Sequence, residues 1–199
     1  MKRIKGMILL IACAVIFCLG GCAEKEPDIE TTTVFVQKNG KVTDAIVESF
    51  EQGYYSALEL QSMLDEEVAA YNAEVGQEDA AVVSRFDVSS GVAKVFVDFK
   101  TGQDYADFNQ AQFFLGSINE AYEAGIDLDV VMKSTEGEET LSKEDLLEKG
   151  KYKILIIDNP VNVVLYKKIL YTSANVEIIS DKEARISDEA AGPAYLVFR

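Results

Sequence analysis

The chain has 199 residues, with 34 acidic against 19 basic side chains, a net charge of −15 at neutral pH, and neither histidine nor tryptophan. Without imidazole, the commonest general base and the commonest transition-metal ligand are both missing, and the acidic balance repels nucleic-acid backbones and anionic lipid head groups alike. The three cysteines, Cys13, Cys18 and Cys22, all fall within the first 22 residues, so the rest of the chain has no disulfide, thiol nucleophile or cysteine metal site.

Lys2, Arg3 and Lys5 form a positive head, Met7 to Leu19 an apolar centre, and Leu19-Gly20-Gly21-Cys22 a small-residue exit. This is the pattern of a secretory signal peptide. The apolar run of about 13 residues is shorter than the roughly 20 that a membrane-spanning helix needs. The exit resembles the lipobox of bacterial lipoproteins: Leu at the third position before the cut, two small residues, then cysteine. The resemblance implies cleavage before Cys22, acylation of Cys22 with chains such as palmitate, and anchoring at the extracytoplasmic face of the cell membrane. One acyl chain holds reversibly and several hold firmly. Residues 1–21 are then the signal peptide, and Cys13 and Cys18 leave with it. The mature chain of 178 residues keeps 16 basic and 34 acidic side chains, a net charge of −18, and is long enough for one domain with a substantial core.

Residues 22–31 hold the lipidated cysteine and a polar tether containing Pro27, predicted to be extended and solvated. Residues 32–199 are expected to form a single globular domain. It opens with a hairpin, Thr32–Gln37 and Val42–Phe50, around Asn39-Gly40, where a two-residue turn needs positive φ at both central positions. Val42, Asp44, Ile46, Glu48 and Phe50 do not alternate cleanly with their neighbours. Ser56 to Val75 is the clearest helix: Ser56 and Glu59 have capping-box spacing, Leu60, Leu64, Val68, Tyr71 and Val75 form a stripe, and Gly76 supplies the stop. Glu66 and Glu67 fall off that stripe, as solvated helix residues do.

A second hairpin joins Val82–Val88 to Val92–Phe99 through Ser89-Ser90-Gly91. Ala93, Val95, Val97 and Phe99 share one face, Lys94, Phe96 and Asp98 the other. Thr101 to Gly125 is expected to be helical but broken at Gly116-Ser117, with Ser117 and Glu120 capping the restart. Ile126–Met132 is predicted as a strand, Thr135–Thr140 as an acidic loop, and Ser142 to Lys149 as a short helix stopped by Gly150. Tyr152–Ile157, Val161–Tyr166, Ile169–Thr172, Asn175–Ile179, Ala184–Ile186 and Tyr195–Phe198 have strand composition, and connections this short imply hairpins or meanders. The order of elements predicts an α+β fold, mainly antiparallel sheet built from hairpins, with two long helical segments packed on one face. The late strands either extend the first sheet or form a second.

The residues support no common catalytic pattern. A serine nucleophile needs a base beside it, and Ser142-Lys143 are better explained by capping and solvation. Paired carboxylates can hydrolyse glycosides, but 34 acids neither single out nor exclude a pair. Tyr54 and Tyr55 serve either as a sugar platform or as a hydrophobic lead-in to the helix, the second being the simpler reading. Calcium is the one metal that the composition permits; Asp127 and Asp129 are its weak candidates, with Glu136, Glu138 and Glu139 nearby, although the EF-hand order is absent. No cofactor is implied. Phe35, Phe96 and Tyr105 are the aromatics expected on a solvent-side face. The general look of the globular part resembles uncharacterised lipoproteins of anaerobic Gram-positive bacteria. The functional expectation is a lipid-anchored, non-enzymatic binding or accessory domain of the cell envelope, with a protein partner or small ligand and no nucleic acid. The alternatives are a carboxylate-dependent hydrolase of envelope polymer and a small solute-binding lipoprotein.

Overall fold

The computed structural model of the protein describes residues 28–187 and 192–199; the expected signal peptide, Cys22 and the first part of the expected tether lie outside the described residues. The elements run β1 (Thr33–Val36), β2 (Val42–Ser49), α1 (Ala57–Val75), β3 (Ala81–Ser89), β4 (Val92–Phe99), α2 (Gly102–Asn109), β5 (Phe113–Ser117) and α3 (Ile118–Glu123). They continue with β6 (Met132–Ser134), β7 (Thr140–Leu141), α4 (Lys143–Glu148), β8 (Lys153–Ile157), β9 (Asn162–Leu165), β10 (Ile169–Thr172), β11 (Val176–Ser180), β12 (Glu183–Ile186) and β13 (Ala194–Phe198). The fold is α+β, with a seven-stranded sheet in the order β11-β12-β9-β1-β2-β4-β3 and a six-stranded sheet in the order β5-β8-β13-β10-β6-β7.

One buried cluster draws on both sheets. Val34, Val97, Phe99, Val163 and Leu165 of the larger join Leu155, Ile157, Leu196 and Phe198 of the smaller. A second cluster covers the other face of the smaller sheet, where Ile154, Ile156 and Val197 meet Ile118 and Ala121 of α3 and Leu146 of α4. Strand β8 therefore buries Ile154 to Ile157 without a break. This is why its sequence is an uninterrupted apolar run rather than an alternating one.

The six late strands form where their composition places them, but they divide between the sheets and do not form one meander. β8, β10 and β13 enter the smaller sheet; β9, β11 and β12 enter the larger. Asp158-Asn159-Pro160 carries the chain across. β9 then lies parallel to β1, with Thr33 opposite Asn162 and Val36 opposite Leu165, the one parallel pairing among otherwise antiparallel neighbours in the described residues. The intervening chain from β2 to β8 serves as the crossover that a parallel return requires.

Several expectations are corrected. The first hairpin forms, but only Gly40 has positive φ, at 87°. Gly40 N–H donates to the Gln37 carbonyl and Gln37 N–H to the Lys41 carbonyl, so a three-residue loop with a left-handed glycine replaces the two-residue turn. The turn with two left-handed residues is instead Ser90-Gly91, at φ 53° and 77°. The second long helical segment is absent: α2 stops at Asn109, where Gln110 takes a left-handed cap, and Phe113–Ser117 pairs with β8 as a strand. Residues 126–131 are not strand; only Met132–Ser134 is. The tether is shorter than expected, because Ile29 is buried against Ala45 and Phe96, and Lys94 Nζ meets Asp28 Oδ1 at 2.6 Å.

The three aromatics expected to face solvent do not. Phe96 and Tyr105 are each 1% exposed, and Phe35 is half-buried beside Phe96. Ile29 and Val47 cover Phe96 on the outer face of the larger sheet, and the Arg85 guanidinium sits 5.1 Å over its ring. Tyr105 packs edge-on to Phe99 at 5.5 Å, in the core under α2.

Candidate functional site

The clearest concavity of mixed chemistry lies between α1 and the inner face of β2 and β4. Ser56 caps α1 by accepting from the Glu59 N–H, and Gly76 closes it at φ 68°. The stripe of Leu60, Leu64, Val68, Tyr71 and Val75 faces the sheet as its spacing requires, yet only Val68 is fully buried. The helix thus stands partly clear of the strands at its N-terminal half. An apolar groove of about 490 Å³ opens there, lined by Ile46, Phe50, Tyr54, Tyr55, Leu60 and Met63 among others. Tyr54 and Met63 are 78% and 67% exposed. Tyr54 stacks edge-on to Tyr55 at 4.9 Å, and Tyr55 packs on Phe50 at 5.0 Å.

The groove shares Ile46 and Leu64 as lining with an adjacent second recess of about 400 Å³, which Asp44, Glu67, Phe99, Phe108 and the Asn109-Gln110 pair also line. Asp44 occupies an inward position of β2, opposite Val34 on one side and Val97 on the other. Its carboxyl is buried, and Oδ1 finds no hydrogen-bond donor. Desolvation alone raises the group from the ordinary value of 3.8 to about 6.

Asp104, buried to the same degree, is fully engaged. Tyr71 Oη donates to its Oδ1 at 3.1 Å, Thr101 Oγ1 donates to its Oδ2 at 2.6 Å, and its own N–H donates back to Thr101 Oγ1. Burial, and then the bond to Asp104, push the Tyr71 hydroxyl far above its usual range. Burial does the same to Tyr105, with the charge of Asp44 adding to the effect. Asn159 Nδ2 donates to the Tyr105 hydroxyl at 3.3 Å.

A larger depression of about 640 Å³ lies near β9 and β12, lined by Thr31, Asn162, Asn175, Glu177 and Arg185. Its polar groups are largely committed to one another: Arg185 contacts Glu177 at 3.4 Å and Asn162 at 3.4 Å. The recess with the unsatisfied acid is therefore the stronger candidate.

The predicted site residues fall elsewhere. Asp127 and Asp129 lie on a loop, where the Asp129 N–H donates to Asp127 Oδ1 at 2.9 Å and the Asp127 carbonyl accepts from Tyr195 Oη. Glu136 pairs with Lys168, and Glu139 accepts from Tyr171 Oη. Among the described residues no three acidic side chains gather as ligands for a metal ion. Ser142 caps α4 and bonds Asp145, and the free N–H at Ser117 is taken by Glu120 Oε2 at 2.6 Å. Cys22 lies outside the described residues. Tyr54 and Tyr55 are at the groove mouth, both exposed, with Tyr55 packed on Phe50 directly before the cap of α1. Asp44 was not singled out by its sequence. The signal for it is its position two residues from both Val42 and Ile46, which puts an acid on the inward face of a strand.

No helix among the described residues is long and apolar enough to cross a membrane. No protein-family model, curated protein or solved structure matches the chain.

Proposed function

We propose that the protein is a lipid-anchored, extracytoplasmic binding domain of the cell envelope, whose ligand surface is the groove along α1. The observation that carries the ligand surface is an open apolar channel rimmed by exposed Tyr54, Tyr55 and Met63. Large apolar side chains left in water around a concavity are the mark of an interaction site. The anchoring rests on the lipobox-like Leu19-Gly20-Gly21-Cys22 and on the charged head and apolar run that precede it. A neutral solvatochromic dye tests the groove: saturable binding is expected, weakened by roughly fivefold or more in Met63→Glu, which places a charge on an exposed rim position. Unchanged dye binding in that variant would remove the groove from the account.

A second reading, a carboxylate-dependent hydrolase of envelope polymer, is favoured by one feature. Asp44 and Glu67 line the same recess, and Asp44 is desolvated while Glu67 is exposed. Two carboxyls in different environments can divide acid and base roles. Release of soluble fragments from purified cell wall, lost in Glu67→Gln, would establish this reading over the first.

A further inference from the structure

The two recesses along α1 share an unusual balance of charge. Asp44, Glu48, Glu59 and Glu67 line them, and among the described residues no Lys or Arg does. Between those acids stand aromatic rings, Tyr54, Tyr55 and Phe50 at one end and Phe99 and Phe108 at the other. Carboxylates interleaved with ring faces repel anions and attract cations, through charge and through the negative faces of the rings. A neutral apolar guest would leave the desolvated Asp44 carboxyl at the wall of the recess without a compensating positive charge, which costs free energy. A bare metal ion would need several converging oxygens, and no such group of three occurs among the described residues. The guest that satisfies all three constraints carries its positive charge and its apolar surface in one molecule.

We infer that the α1 groove takes a small amphipathic amine, its ammonium beside Asp44 and its apolar body against Leu60, Met63 and Tyr55. This rests on the groove being the ligand surface. From Glu67 to Glu59 the helix advances roughly 12 Å, the reach of a medium-length alkyl or arylalkyl chain.

The test uses three water-soluble probes of one length, n-hexylamine, 1-hexanol and hexanoate. Each is titrated at pH 7.5 into the full chain carrying Cys22→Ser, with amide shifts of Ile46, Tyr55 and Leu64 as the readout. The amine is expected to bind roughly tenfold tighter than the alcohol or better, with hexanoate weakest. Asp44→Asn keeps the shape of the side chain and removes its charge, and should bring the amine to the level of the alcohol. Equal binding of amine and alcohol to the unaltered chain would overturn the inference while leaving the groove as the ligand surface. An amine preference that survives in Asp44→Asn would overturn the role of Asp44. If none of the probes moves the groove resonances, the inference fails. Dye binding that is also insensitive to Met63→Glu then marks the failure of the groove itself.

Discussion

Asp44 and Asp104 are equally buried, at 7% exposure, yet Asp104 has donors on both oxygens and Asp44 Oδ1 has none. The consequence is a pH dependence with a defined sign. In the unfolded chain Asp44 titrates near 3.8, and in the folded chain near 6. Between those values the folded state keeps a proton that the unfolded state has released, so this group's contribution to stability is fully present below about pH 4 and is lost as pH rises through 6. At about 1.4 kcal/mol per pH unit, the loss is of the order of 3 kcal/mol. Asp44→Asn should therefore raise unfolding free energy by about 2–3 kcal/mol at pH 7.5 and by little at pH 4, measured by urea denaturation of both forms at both values. Phe96 makes the opposite case. Its neighbours Lys94 and Asp98 in β4 are half-buried and polar, so alternation assigns Phe96 to solvent. The cover comes from Ile29, which lies far away in sequence and within a segment read as tether. Phe96→Ala is expected to cost about 3–5 kcal/mol in thermal or urea unfolding, and a loss below 1 kcal/mol would return it to the surface.

Elements whose signals are local were legible in the sequence, and those decided by distant partners were not. The caps at Ser56, Ser117 and Ser142 form, because a side-chain oxygen three residues before a free N–H needs no outside help, although the full capping box closes at Ser117 and Ser142 and only its Ser56 half at α1. The stripe on α1 holds at Leu64, Val68 and Tyr71, which pack on the core, while Leu60 lines the open groove. Residues 101–125 misled because Tyr105 and Phe108 have helical spacing, while the competing strand Phe113–Ser117 is stabilised by β8, some forty residues on. The break falls at Gln110, a left-handed position held by a side chain that disfavours it, at φ 50°. Gln110→Gly should stabilise the protein by about 0.5–1 kcal/mol in urea unfolding, and destabilisation would show that the Gln110 side chain matters more than its backbone angle. The candidate site was half legible for a related reason. Tyr54 and Tyr55 announce themselves beside a helix start, whereas the recess at Asp44 exists only once α1 and α2 are laid over the strands.

For the whole molecule, the charge excess has a measurable effect. A folded chain with a net charge of −15, or −18 after loss of residues 1–21, repels itself, and salt screens that repulsion. The melting temperature is expected to rise by a few degrees between 10 mM and 300 mM sodium chloride; a fall would mean that surface pairs such as Lys94–Asp28 and Lys168–Glu136 outweigh the repulsion. The proposed anchor makes a separate claim. Mass spectrometry of the native product should find the chain beginning at an acylated Cys22, and Cys22→Ser should move the protein from the membrane fraction to the soluble one.

The placement of β1 bears on when the molecule can acquire its shape. β1, the first strand among the described residues, is held at the centre of the larger sheet, and one of its two neighbours is β9, which begins only at Asn162. A nascent chain that ends before that point lacks one side of its middle strand. Contacts between such distant segments close slowly. The larger sheet therefore closes only once the segment from Asn162 onward is available, and for the exported protein proposed above that ordering keeps the sheet open until the second half of the chain has arrived.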